Sequence, residues 1–143
     1  MFDVDQCLSS LHTFARRAGS PVDYADLPTC IDGCLDRGRI VLRAGLAPEQ
    51  ELLTLVHELT HVMAHVASTR SHTHRTVCEY EAEAVEGLIA QRLGFDAAGF
   101  ELFTGEAWTF PDGLLADSVA RVGAVAGTLL AVLDRQPLGR FTP

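Results

Sequence analysis

The sequence predicts an α+β fold: a small antiparallel sheet of about two to three strands, packed by about four to five helices, in one domain over residues 1–143. Three observations predict it. Apolar residues recur at helical spacing over several long stretches, one short region alternates about a glycine-bearing turn, and 143 residues suit one domain. Hydrophobic residues make up 48% and charged residues 21%, the balance of a chain that folds around a core.

Each element has its own warrant. Val4, Leu8, Leu11, Phe14 and Ala15 place a helix over 3–18, and Gly19-Ser20-Pro21 stops it. A short helical turn is expected at 22–27, before Pro28. The run from Thr29 to Leu35, then Asp36-Arg37-Gly38, then Arg39 to Arg43 predicts a β-hairpin. Pro48 suits a first helical turn, where its missing N–H costs nothing, and Glu49 and Glu51 favour the positive end of the dipole, so a helix runs from there to about Val66. Ser68 to Arg75 is polar and reads as loop. A helix over about 76–93 ends at Gly94, and a last one fills about 112–134. Residues 96–111, with Phe100, Phe103, Trp108 and Phe110, read as irregular and their aromatic residues as core.

The charge and the cysteines narrow the function. A formal charge of −8 repels phosphates, and the arginines are scattered, Arg16-Arg17 being too short a run, so direct nucleic-acid binding is not expected. The opening MFDVDQCLSSLHTF is acidic and lacks a long apolar stretch, which argues against a signal peptide, and no apolar run is expected to reach membrane-spanning length. Cys7, Cys30, Cys34 and Cys78 are irregularly spaced and read as reduced thiols of a cytoplasmic protein.

The chemistry is concentrated in LVHELTHVMAH, Leu55 to His65. Residues four apart share a helical face, so His57 and His61 can aim two ring nitrogens at one Zn²⁺ ion. Glu58 stands about 100° further round the helix, suited to a water on that ion and not to ligation. With six histidines and nine glutamates, chance would produce such an H-E-x-x-H in roughly one or two chains per hundred. Two buried histidines beside a carboxylate without a metal would waste hydrogen-bonding capacity.

A third ligand is required, and the six-residue spacing that would supply another histidine ends on Ala67. The next helix offers Glu79, Glu81, Glu83 and Glu86. At about 100° per residue, Glu83 and Glu86 fall within about 40° of Glu79 on one polar face, whereas Glu81 falls about 200° away among Val77, Cys78, Ala84, Val85 and Leu88. A lone charge on an apolar face is costly, and a metal removes that cost, so Glu81 is the expected third ligand. Pairing of Glu81 with an arginine such as Arg43 is the competing reading.

RIVLRAGLAPEQELLTLVHELTHVMAH followed by EYEAEAVEGLIAQRLG resembles the ImmA/IrrE group of compact zinc metallopeptidases and the related ArdC-type antirestriction peptidase domains, over about residues 29–95. The resemblance implies a zincin-like minimal metallopeptidase with His57, His61 and Glu81 as zinc ligands and Glu58 as catalytic base. It also implies a protein or peptide substrate such as a transcriptional regulator. Where many members read Glu-Ala-Asn this chain has Glu81-Ala82-Glu83, and Glu86 stands where many carry alanine. Tyr80, His65, His72 and His74 are candidates for the donor that a tetrahedral oxyanion requires. The hairpin edge could hold an extended peptide by strand addition. An idle zinc-binding sensor module and a zinc hydrolase of a small amide are the alternatives.

Overall fold

The computed structural model describes residues 2–65, 72–95 and 114–135, arranged as four helices and a three-stranded sheet. Helix α1, Val4–Arg17, begins at Asp3, whose side chain accepts from the Asp5 and Gln6 amides, and it buries Cys7, Leu8, Leu11 and Ala15. It closes with Gly19 at φ 84°, the Ser20 amide donating to Ala15 and the Gly19 amide to Arg16. This is a Schellman end, which needs the left-handed backbone that glycine adopts without strain.

Strands β1, Val22–Ala25, β2, Gly33–Asp36, and β3, Arg39–Arg43, lie in the order β1-β3-β2. The hairpin appears as expected, β2 antiparallel to β3 with Asp36 opposite Arg39. Arg37 and Gly38 turn it with φ 50° and 81°, the doubly left-handed geometry that matches strand twist. Two details differ from the expectation. Residues 22–25 form a strand and not a helical turn, and that strand runs parallel to β3, so the small sheet is mixed and not purely antiparallel. The physical reason is length: four residues cannot close a stable helical turn, whereas Val22 and Tyr24 fit a pleated edge that pairs with Ile40 and Leu42. Arg43 ties down the intervening loop through the Leu27, Pro28 and Ile31 carbonyls and the Asp32 carboxylate.

Helix α2, Pro48–Ala64, has Pro48 in its first turn and no side-chain cap. Leu52, Leu55, Val56 and Leu59 are fully buried on one face, against Ile40 and Leu42 of β3, Leu11 of α1, Val85 and Ile89 of α3, and Leu129 and Leu133 of α4 in a single core. Helix α3 is His72–Leu93, starting several residues before the expected position, so 72–75 belong to a helix and not to a loop. It ends at Gly94, φ 74°, with the Phe95 amide donating to Ala90. Helix α4 is Leu114–Asp134 and buries Ser118, Val122, Val125, Ala126, Leu129 and Leu133.

By length and composition Ala116–Asp134 is apolar enough to cross a membrane, which the sequence reading did not anticipate. One stripe of that helix packs into the core, the pattern that a core helix also satisfies. The expected irregular segment 96–111 lies outside the described residues.

Candidate metal centre

On α2 the four-residue period that builds the core on one face places His57 and His61 on another, with His65, the C-cap, next in the row. His57 Nε2 lies 3.2 Å from His61 Nε2. Glu79, in the early part of α3, completes the group: its Oε2 is 3.1 Å from His57 Nε2 and its Oε1 is 3.0 Å from His61 Nε2. A tetrahedral Zn²⁺ with bonds of about 2.0–2.1 Å asks for ligand atoms roughly 3.3–3.4 Å apart. Separations of 3.0–3.2 Å fit such an ion with only a slight spreading, so His57, His61 and Glu79 form a cluster compatible with a metal ion.

Glu81, expected as the third ligand, is not brought to the histidine pair. It is 1% exposed, and its carboxylate accepts from Ser118 Oγ at 2.7 Å and from Arg121 Nε at 3.1 Å, both on α4, while His65 Nε2 lies 2.7 Å from its other side. The helix projection identified the buried glutamate correctly but not what buries it. The apolar face of α3 at this level meets α4 and the end of α2, and an arginine removes the cost that a metal was expected to remove. That arginine is Arg121; Arg43 is occupied at the loop before β2. The face carrying Glu79 and Glu86, expected to be solvated, turns towards His57 instead: Glu86 Oε2 lies 3.1 Å from His57 Nδ1, behind the ring. A carboxylate on the outer nitrogen orients an imidazole so that its other nitrogen faces the ion.

Burial works to lower the pKa of His57, but hydrogen bonds to Glu79 and Glu86 outweigh it and push the ring up to about 10 in the metal-free protein. Contacts with His57 and His61 hold Glu79 well below the usual carboxylate range despite its partial burial. Glu58 is buried beside this group, and its pKa is raised, chiefly by desolvation, against the pull of His57 and His61. A carboxylate so shifted is nearer to the working range of a general base than an exposed one.

Two cavities meet at this point. One of about 610 Å³ is bounded by Gly33, Cys34 and Leu35 of β2 and by His57, Glu58, His61, Arg75 and Glu79 among the helix residues. The other, about 520 Å³, lies on the far side of Gly33, His57 and Glu58, with Asp32, Glu83 and Glu86 along it. Both run beside β2, whose outer edge pairs with no strand among the described residues. Gly33 permits this approach: a Cβ there would meet Thr54 Cγ2 at 2.7 Å, Leu42 Cδ2 at 3.2 Å and Glu58 Cγ at 3.3 Å.

Cys34 and Cys78 also face the larger cavity, but burial, the largest cause, raises both thiols, so neither is an activated thiolate. All four cysteines are free thiols. Of the candidate oxyanion donors, His65 is engaged between His61 and Glu81. The side chains of His72 and His74 lie outside the described part. Arg75 was not singled out from the sequence, yet it is the arginine that borders the larger cavity.

A family model for peptidases, described as the IrrE N-terminal-like domain, matches residues 10–110. The match takes in β1 to β3, α2 and α3, and with them every residue of the cluster. No curated protein and no solved structure matches the chain significantly. A match over this much of the sequence settles its kinship: the chain belongs to the IrrE N-terminal-like family of peptidases.

Proposed function

We propose that this protein is a zinc-dependent metallopeptidase in which His57, His61 and Glu79 hold the ion and Glu58 is the catalytic base. The observation that carries the reading is the convergence of two Nε2 atoms and a carboxylate at 3.0–3.2 Å beside a buried glutamate of raised pKa. A zinc ion held there would polarise the scissile carbonyl and acidify an attacking water. Glu58 accepts the proton of that water at its carboxylate and returns it to the leaving amine nitrogen. Arg75, on the cavity wall, is placed to donate to the developing oxyanion. The edge of β2, unpaired among the described residues, supports an extended peptide as substrate, bound by strand addition across Gly33, Cys34 and Leu35.

An open groove along a strand favours a peptide over a small amide, and the retained Glu58 disfavours an idle zinc-binding module. We place the substrate in a cytoplasmic regulatory protein, such as a transcriptional regulator. The net charge of −8 argues against direct contact with nucleic acid, and the packing of α4 into the core argues against a membrane role.

The test is metal content and turnover measured together. The purified protein should carry one zinc per chain. His57→Ala and Glu79→Ala should lose it, and Glu58→Gln should keep it while peptide hydrolysis falls by roughly 10²–10⁴-fold. Retention of zinc by Glu79→Ala would refute the assignment.

A further inference from the structure

His61 does not face a carboxylate on its outer nitrogen, as His57 does. Its Nδ1 lies 2.8 Å from Nδ1 of His65, whose Nε2 lies 2.7 Å from Oε2 of Glu81. Glu81 in turn accepts from Ser118 and Arg121. Five side chains, from α2 and its C-cap, α3 and α4, thus form one connected line ending at the proposed metal ligand.

The direction of each hydrogen in that line follows from its far end. An arginine and a hydroxyl both donate to Glu81, so its carboxylate is an acceptor and must receive the hydrogen of His65 Nε2. A neutral imidazole with its hydrogen on Nε2 presents a lone pair at Nδ1. With His65 neutral, its Nδ1 therefore accepts from His61 Nδ1, which puts the His61 hydrogen on the outer nitrogen and leaves its Nε2 lone pair facing His57 and Glu79. The opposite arrangement would place an N–H where the cation belongs.

We propose that His65 and Glu81 are positioning residues that fix the tautomer and ring orientation of His61 for metal binding. This rests on the zinc reading of the His57, His61 and Glu79 cluster. Neither residue is among the proposed ligands: His65 borders the larger cavity, but its two ring nitrogens face His61 and Glu81, so both act through His61, as Glu86 does directly through His57. The buried glutamate thus serves the metal one step removed from the ligand role first expected of it.

The experiment measures zinc affinity by competition with a chelating dye, and the visible spectrum of the cobalt-loaded protein, on the full chain. Melting temperatures in chelator check the metal-free fold. His65→Leu removes the acceptor and should weaken zinc binding about 10–100-fold. His65→Asn offers its side-chain oxygen near the position of Nδ1 and should recover most of that loss. Glu81→Gln keeps the shape, but Ser118 and Arg121 hold its amide oxygen, so its NH₂ faces His65 and reverses the line; it too should bind about 10–100-fold more weakly. Glu81→Gln carries the test alone if His65→Leu does not fold. Wild-type affinity in either folded variant would overturn the proposal. So would a loss in His65→Asn as large as in His65→Leu. Absence of zinc from the wild-type protein itself would defeat the reading of the cluster, a different failure from the first two.

Discussion

Gly33→Ala tests how closely β2 must approach Glu58, the proposed base. The Gly33 backbone lies where any residue can sit, so alanine adds only a methyl group. That methyl would meet Thr54 Cγ2 at 2.7 Å, where ordinary carbon contacts are about 3.5–4.0 Å. The strand, the helix or the Thr54 side chain, whose hydroxyl is held by the Gln50 carbonyl, must therefore yield by about 0.8 Å or more. Leu42 and Glu58, at 3.2 and 3.3 Å, ask for a few tenths. Overpacking of this size costs about 1–3 kcal/mol, or roughly 4–12 °C in Tm for a chain of this length. Zinc should stay, because the proposed ligands lie on α2 and α3. Turnover should fall further than stability implies, since a shift of about 1 Å between substrate edge and base can cost about 10²-fold. Thr54→Ser deletes the offending Cγ2 and keeps the hydroxyl that donates to the Gln50 carbonyl, so the double variant should recover more than half of both losses. Thermal unfolding, metal analysis and peptide hydrolysis on the four proteins complete the cycle. If Gly33→Ala melts and turns over like the parent, or Thr54→Ser restores nothing, the close approach of strand and helix is not what the glycine provides.

Zinc loading should release protons. His57 in the metal-free protein is pushed up to about 10, so at about pH 8 it is charged and must lose a proton to become a ligand, whereas Glu79 is already ionised. Roughly one proton per ion should appear in weakly buffered solution, and none would contradict the neutral-imidazole assignment. Glu81 is buried, but its bonds to His65, Arg121 and Ser118 hold its pKa down to about 2, so its contribution to stability is complete above about pH 4.5 and fades as pH falls towards 2. The stability gap between wild type and Glu81→Gln should narrow across that window; a constant gap in denaturant titrations would refute it. Arg37 holds φ 50° in the hairpin turn, so Arg37→Asn, which tolerates that backbone better, should stabilise by about 0.5–1 kcal/mol in the same titrations.

The H-E-x-x-H helix and the hairpin were legible because each is a local pattern: a period of four with a proline start, and a turn residue between two apolar runs. The parallel pairing of β1 was not, because nothing within Val22–Ala25 states which strand it will lie beside. The third member of the cluster was missed for a related reason. A helix projection sorts Glu79 from Glu81 by face, but α3 lies between α2 and α4, and each face meets a neighbouring helix at the level of these glutamates, with Glu79 still largely exposed. Apolar neighbours pointed to the face that meets Arg121, while the face that looked solvated meets His57. Arg121 and Ser118 lie some forty positions along the chain from Glu81, and no spacing rule links them.

Helix α2 interleaves Leu52, Leu55, Val56 and Leu59 with His57, Glu58 and His61 along the same turns. A rotation that freed the imidazoles would drag leucines into water, and a slide of one residue would spoil both sets at once. The proposed ligands and base are thereby clamped by the hydrophobic side chains, and a mutation that loosens the interior should disturb that cluster well before the chain melts.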